Sequence, residues 1–317
     1  MEVTLRQLRY FDALAEHSRF GRAATACGIS QPALSMQIKE LEEALGGQLV
    51  ERGGRQVRLT KLGEDAVLRA RDILRSVDAL RDFARASGDR LAGRVRIGMI
   101  PTVAPYLLPA FIANIARVHP ELDIHVREAL TSKLIEELVE GRLDAGVVAL
   151  PVSEPSLVEV ALFKEHFLLV RPGEDEGAPI PGSKALRSMR LLLLEEGHCF
   201  RDQALAFCKM QTLPRETLDA SSLSTLVQMV GAGMGVTLIP EMAAAVETRS
   251  ASVSVARFRD PQPSRTIGMI WRKKNPLAGQ LLQLSKLVCG AADSLRTAGR
   301  LRHRHSPNRL PSRGGAS

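Results

Sequence analysis

Apolar residues recur at helical spacing through the first 45 residues, and then the period changes. Leu5, Leu8, Phe11 and Leu14 fall on one face of a first helix, and residues 21–27 are rich in alanine, the strongest helix former. A Gly28-Ile29-Ser30 turn follows. Ser30 is placed to cap a third helix, with Pro32 in its first turn, where a missing amide hydrogen is no loss. On that helix Leu34, Ile38, Leu41 and Leu45 form one stripe expected to be buried, and Gly46-Gly47 ends it. The run QLVERGGRQVRLT then alternates apolar and polar positions around Gly53-Gly54, a two-stranded hairpin with basic flanks. From Thr60 to about Arg90 a charged helix carries Leu62, Ala66, Leu68, Ile73, Leu74, Val77, Leu80 and Phe83, with no proline and no internal glycine between Gly63 and Gly88 near its end. Such a helix between domains suits dimerisation; the plainer reading is a connector packed on its neighbour.

Beyond Gly93 the runs RVRIGMI, PYLLPAFIANIARVHP, ELDIHVREA, SKLIEELVEGRLD and AGVVAL alternate strand with helix, the pattern of parallel α/β structure. LLLLEE, SLSTLVQMV, GVTLIP and TIGMIWR continue it, and a last helix covers about 276–295. At 317 residues the chain exceeds what one hydrophobic core usually supports. The expected fold class is therefore a multidomain α+β and α/β protein. Residues 1–60 form a winged helix-turn-helix and 61–90 a dimerisation linker helix. Residues 91–295 form a two-lobed α/β regulatory domain, with lobe I at about 91–163 and 267–295 and lobe II at about 164–266. The polar stretch 296–317, punctuated by proline and glycine, is expected to be disordered.

Composition removes several function classes. No apolar run approaches the roughly 20 residues that span a bilayer, and the first twenty residues carry charge in every turn, unlike an export signal. The chain is read as cytoplasmic, without a membrane partner. Its net charge of +8 invites a nucleic-acid reading, yet six arginines with no acid between 296 and 317 supply most of the excess. Residues 1–60 hold eight Lys/Arg against seven Asp/Glu, so a DNA reading must rest on a motif. Cys27, Cys199, Cys208 and Cys289 offer no C-x2-C pair and no His/Cys cluster at zinc spacing, so no metal is expected. Neither is a cofactor: GAGMG from Gly231 follows a helix and precedes a strand, the reverse of a dinucleotide loop.

The motif is on the third helix. With its stripe turned to the core, Pro32, Ser35, Met36 and Lys39 face outward. Recognition helices read base edges with their N-terminal residues; Gln31 suits a bidentate contact with adenine, and Ser35 serves donor or acceptor. Lys39, and Arg52 and Arg55 on the wing, suit phosphate or the minor groove. The run FGRAATACGISQPALSMQIKELEEALGGQLVERGGRQVRLTKLGE resembles the N-terminal domain of LysR-type transcriptional regulators, through SQPALS, QI, LE, LG and the closing LT-x-x-G. The resemblance implies a winged helix-turn-helix that binds double-stranded DNA through the segment from Ser30 to Lys39, a dimerising helix, and an effector domain similar to periplasmic solute-binding proteins. It also implies homo-oligomers, usually dimers of dimers, that contact RNA polymerase.

Cys199 and Cys208 lie in LLLLEEGHCFRDQALAFCKM, where a strand gives way to a helical pattern. Nine helical residues would set their Cα atoms about 13–14 Å apart on opposite faces, whereas a disulfide needs Cα atoms within roughly 7 Å. Joining them would require local melting. Cys199 would open a helix beside His198 and Arg201, a setting that favours thiolate, with Asp202 able to orient both. A sulfenic acid formed there by peroxide would condense with a resolving thiol, and Cys208 is the obvious candidate. Two small apolar residues packing a core is the plainer reading of an isolated C-x8-C, and Cys27 and Cys289 keep it, as buried packing residues in helical patterns.

The words GHC-x-RDQA-x-x-FC, IPTVAPYLLP and RTIG carry the likeness further, to peroxide-sensing members of the LysR-type family. That likeness implies a transcription activator of oxidative-stress genes, with Cys199 peroxidatic and Cys208 resolving. It places Thr102, Thr131, His198, Asp202 and Arg265 around hydrogen peroxide, and names glutaredoxin or thioredoxin as reductant. Such a protein is not an enzyme. Two other readings stay open: a LysR-type regulator answering a small-molecule effector between the lobes, near Thr102 and Thr131, and a thiol peroxidase with an incidental N-terminal domain.

Overall fold

The computed structural model describes residues 2–51, 56–86, 91–186, 188–208 and 219–304, in two compact units, 1–87 and 88–317. Unit 1 opens with α1 (Leu5–His17), whose cap is reciprocal: the Thr4 hydroxyl accepts from the Gln7 amide, and the Gln7 side chain accepts from the Thr4 amide. Next come α2 (Phe20–Ala26) and α3 (Gln31–Leu45). The turn between them uses Gly28 at φ +66°, and the Ser30 hydroxyl accepts from the Ala33 amide at 3.3 Å to start α3. Strands β1 (Val50–Glu51) and β2 (Arg58–Leu59) pair antiparallel, and α4 (Lys61–Ala86) runs on from them.

The core of unit 1 is built from Leu8, Phe11, Leu14, Leu34, Ile38, Leu41, Leu49 and Val50, closed by Val67 and Ala70 of α4. Two stripe positions differ from expectation. Leu5, the first residue of α1, and Leu45, the last of α3, are each 43% exposed, because the core ends one turn short of both helix ends. In place of Leu45 the core takes in Glu42, whose Oε1 accepts from the backbone amides of Leu49 at 2.9 Å and Val50 at 3.3 Å. A carboxylate here satisfies donors that the entry into β1 would otherwise bury unpaired. Along α4, Leu62, Ile73 and Leu80 stay exposed on one line, while Arg71 pairs with Asp12 of α1 at 2.6 Å.

In unit 2, β3 (Gly93–Met99), α5 (Ala104–Val118), β4 (Leu122–Glu128), α6 (Thr131–Val139) and β5 (Ala145–Leu150) alternate, and β3 pairs parallel with both β4 and β5. The rest of the sheet departs from an all-parallel expectation. Strand β6 (Leu157–Pro172) has no counterpart in the sequence reading, because it alternates at first and is then buried without a break from Phe167 to Arg171.

After α7 (Ser183–Leu186), β7 (Leu193–Leu194), α8 (Cys199–Phe207), β8 (Asp219–Ala220) and α9 (Leu223–Gly231), the chain returns through β9 (Thr237–Pro240), α10 (Glu241–Glu247), β10 (Val253–Arg257) and β11 (Ser264–Arg272). β6 pairs antiparallel with β11 along its first part and with β9 and β10 along its last, so two α/β halves share one sheet in the order β10-β6-β11-β5-β3-β4. The register slips between Ile267 and Gly268, where a side chain on Gly268 would meet Leu150 at 2.3 Å and the Val160 carbonyl at 2.9 Å.

Helix α11 (Ala278–Arg304) corrects the expectation that disorder begins at 296. The backbone stays helical to 304, since no proline intervenes before Pro307 and Arg296 stacks on the Phe163 ring at 5.1 Å while donating to the Lys164 carbonyl. Residues 305–317 lie outside the described residues. Among those described, no helix is long and apolar enough to cross a membrane.

Removing the Glu42 carboxylate leaves two buried amides without their acceptor, so Glu42→Ala should destabilise unit 1 by about 1–3 kcal/mol. Urea denaturation of residues 1–87 would read this as a lower midpoint, with Glu42→Gln, which keeps an acceptor oxygen, losing less.

Candidate functional site

The segment after β7 turns on Gly197, at φ +93°, where a side chain would also press to 3.1 Å from Leu130. His198 is the extended N-cap residue of α8, and Cys199 is its first helical residue, at the end where unpaired backbone N–H groups favour negative charge. Phe200, Ala204 and Cys208 repeat every four residues along α8 and are all buried. Phe200 packs edge-on to Phe167 at 4.9 Å, and Cys208 sits in the core shared with β6, β9 and α9. Cys199, half a turn out of phase with Cys208, is only partly buried. No cysteine is in a disulfide, and helix persists through Phe207 with Cys208 still in helical conformation as its C-cap. The two sulfurs therefore belong to different environments on opposite sides of one helix.

Cys199 opens onto a cavity of about 10 Å³, lined by Ile100, Pro101, Thr102, Leu130, Thr131, Gly197 and His198, room for one water-sized molecule. The Thr131 hydroxyl, at the start of α6, is buried and has no hydrogen-bond partner among the described residues. Thr102 is buried too, and its Oγ1 accepts from Arg265 Nη1 at 2.7 Å while its carbonyl accepts from Nη2 at 3.0 Å. The guanidinium is in turn held by Glu165, with Nη2 2.8 Å and Nε 2.9 Å from Oε2, and lies 5.3 Å from the centre of the Phe200 ring.

The structure thus gathers Thr102, Thr131, His198 and Cys199 around one cavity and sets Arg265 directly behind Thr102. Asp202 is exposed on the next turn of α8 and does not line the cavity. The cationic setting read for the sulfur also changes. Arg201 turns away to Asp219 at 2.8 Å and the Leu194 carbonyl at 2.7 Å, so Asp219 rather than Asp202 orients it. Burial lowers the His198 pKa below its usual value, against a weaker opposing effect of Glu195. His198 is then neutral near pH 7, a proton acceptor rather than a cation. Glu165 was not among the residues singled out in the sequence; an acid inside the buried run EHFLLVR was the signal that could have found it. Cys27 and Cys289 are half-buried, and burial raises both thiols.

On unit 1, Ser30, Gln31, Pro32, Ser35, Met36 and Lys39 are all exposed on α3, opposite its buried stripe. Lys39 makes a loose surface pair with Glu43 at 3.7 Å, which leaves its charge available. Arg52 and Arg55 lie outside the described residues.

Residues 5–64 match the model of the bacterial regulatory helix-turn-helix protein, lysR family, and residues 88–288 match the LysR substrate binding domain. A probable hydrogen peroxide-inducible genes activator of Streptomyces viridosporus is 45% identical over 292 residues, 90% of this chain and 93% of that protein. The DNA-binding transcriptional dual regulator OxyR of Escherichia coli K12 is 40% identical over 92% of this chain and 96% of its own length. Among solved structures, a cysteine-to-serine mutant of Corynebacterium glutamicum OxyR with hydrogen peroxide bound superimposes with a TM-score of 0.67 at 31% identity, covering 98% of this chain and 99% of that one.

The two cavity threonines should respond oppositely to removal of the hydroxyl. Thr102→Val strands a buried guanidinium donor and should lower stability by about 1.5–3 kcal/mol, whereas Thr131→Val removes an unpartnered hydroxyl and should leave stability unchanged or raised. Calorimetry of the full chain decides it; equal losses would contradict this geometry.

Proposed function

We propose a peroxide-switched mode of action for this chain, which belongs to the OxyR-type hydrogen peroxide-inducible activators of the LysR family. The single observation that carries the reading is that one intact helix, α8, keeps Cys199 at a water-sized cavity and Cys208 in the core. In the reduced state the sulfurs cannot meet. Hydrogen peroxide, hardly larger than water, enters the cavity, and the Cys199 thiolate attacks one oxygen as the O–O bond breaks. The departing hydroxide takes a proton to become water, and Cys199 is left as the sulfenic acid. The Thr102 and Thr131 hydroxyls are the groups that hold the peroxide, and His198, neutral, takes the thiol proton. Arg265 polarises Thr102 from behind. Asp202, exposed in the reduced form, reaches the site only if α8 moves.

Condensation with Cys208 then forms the disulfide and releases water. It requires α8 to unwind and Phe200 and Cys208 to leave the core, where a fully buried large apolar side chain contributes about 1.5–3 kcal/mol. A chemical event becomes a conformational one. A dithiol reductant such as thioredoxin or glutaredoxin restores both thiols. The responding surface is DNA-bound: α3 offers Gln31 and Ser35 to base edges, with Ser30, Pro32, Lys39, Arg52 and Arg55 set for the phosphate backbone and groove walls. The protein works in the cytoplasm as a dimer of dimers, with the exposed apolar line of α4 supporting dimerisation, and contacts RNA polymerase as an activator of oxidative-stress genes. Each chain reacts once per switching event, so it acts as a regulator rather than a peroxidase. The alternative, an organic effector near Thr102 and Thr131, has less support, since the cavity there has room for about one water-sized molecule.

Mass spectrometry after brief, low-dose H2O2, paired with DNA footprinting, tests the switch. The parent protein should gain a bridge between residues 199 and 208 and shift its footprint. Cys199→Ser should do neither, and Cys208→Ser should stop at a sulfenic acid that dimedone traps; induction that survives in Cys199→Ser would point to another effector. For DNA, Gln31→Ala should lose about 1–3 kcal/mol of discrimination at one base position. Lys39→Ala should weaken all sequences alike and reduce the salt slope by about 1 in binding titrations.

A further inference from the structure

Behind the cavity wall stands a buried ion pair, of which the proposed oxidation uses only Arg265. Arg265 and Glu165 are 1% and 3% exposed at their side chains, and Glu165 spends both oxygens: Oε2 on the guanidinium, Oε1 on the backbone amide of Met242 at the start of α10, 3.0 Å away. The carboxylate is therefore fixed from two elements, and it fixes the guanidinium. A hydroxyl has one hydrogen and two lone pairs. Arg265 Nη1 occupies a lone pair of Thr102, and that hydroxyl's hydrogen has no protein acceptor among the described residues. With the guanidinium on one of its lone pairs, the Thr102 hydroxyl keeps its hydrogen for the cavity, and a cationic neighbour makes it a stronger donor.

We infer that Glu165 is a positioning residue for the oxidation of Cys199: it clamps Arg265 so that Thr102 presents its O–H to the leaving oxygen of the peroxide. This rests on the reading of Cys199 as the peroxide-reactive thiol. As the thiolate takes up one oxygen, the other leaves as hydroxide, and a donor preset at that point stabilises the charge as it develops. Without Glu165 the guanidinium keeps its charge but loses its fixed direction, and the Thr102 hydroxyl regains freedom to turn.

The test compares two reactions of the same sulfur in the full chain carrying Cys208→Ser. Oxidation by H2O2 needs a stabilised leaving oxygen; alkylation by iodoacetamide does not. Glu165→Gln should slow oxidation by about tenfold or more while alkylation changes by less than about twofold, and Glu165→Asp should recover part of the loss. If the single variant does not fold, the neutral pair Glu165→Gln with Arg265→Gln removes the stranded charge. That pair should oxidise at the rate of Arg265→Gln alone, because Glu165 acts only through Arg265. An unchanged oxidation rate, a parallel shift of both reactions, or a double variant slower than Arg265→Gln overturns the role. A parent chain that alkylates but is not oxidised overturns the peroxide reading, and this role with it.

Discussion

A disulfide closes only when two Cα atoms come within roughly 7 Å, and nine residues of helix separate Cys199 from Cys208 by about twice that. The helix is held in place by what its buried face packs against. Phe200, Ala204 and Cys208 fill one core with Phe167 and the strands beneath, so Cys208 is itself part of the packing that holds its sulfur away from Cys199. Reduced and oxidised states thus exclude one another. Either the core keeps Cys208 and α8 is whole, or the bridge forms and that packing is given up.

The space beside Cys199 is small. The cavity beside Cys199 has room for about one water-sized molecule, and its polar wall is unevenly satisfied among the described residues. Thr102 is committed to Arg265, while the buried Thr131 hydroxyl has no partner among the described residues. Burying an unpartnered hydroxyl works against stability, which is tolerated where a ligand is to supply the missing bond. Placing a full cation one residue behind the wall, neutralised by Glu165, gives the cavity directed polarity without a free charge that would draw in water and anions.

Unit 1 solves a different problem with similar means. Its helices and paired strands bury a small core, with α3 holding its Leu34, Ile38 and Leu41 stripe inward and the opposite face exposed. The Glu42 carboxylate, tied to the Leu49 and Val50 amides, joins the C-terminal end of α3 to the first wing strand. The end of α3 and the start of β1 are thereby tied through one side chain.

Much of this was legible in the chain itself. Local chemistry announces the helices of unit 1: the Ser30 cap, Pro32 in the first turn, the Gly28 turn and the Leu34, Ile38, Leu41 stripe depend on neighbours within a few residues. So does the spacing of Cys199 and Cys208, which already forbids a bridge across an intact helix. What depended on residues far apart in sequence could not be read there. Glu165 meets Arg265 across a hundred positions, and Arg201 finds Asp219 rather than the adjacent Asp202. In each case the partner is set by which strands and helices lie side by side. Periodicity reports the face a residue occupies, and only the tertiary structure decides what stands opposite it.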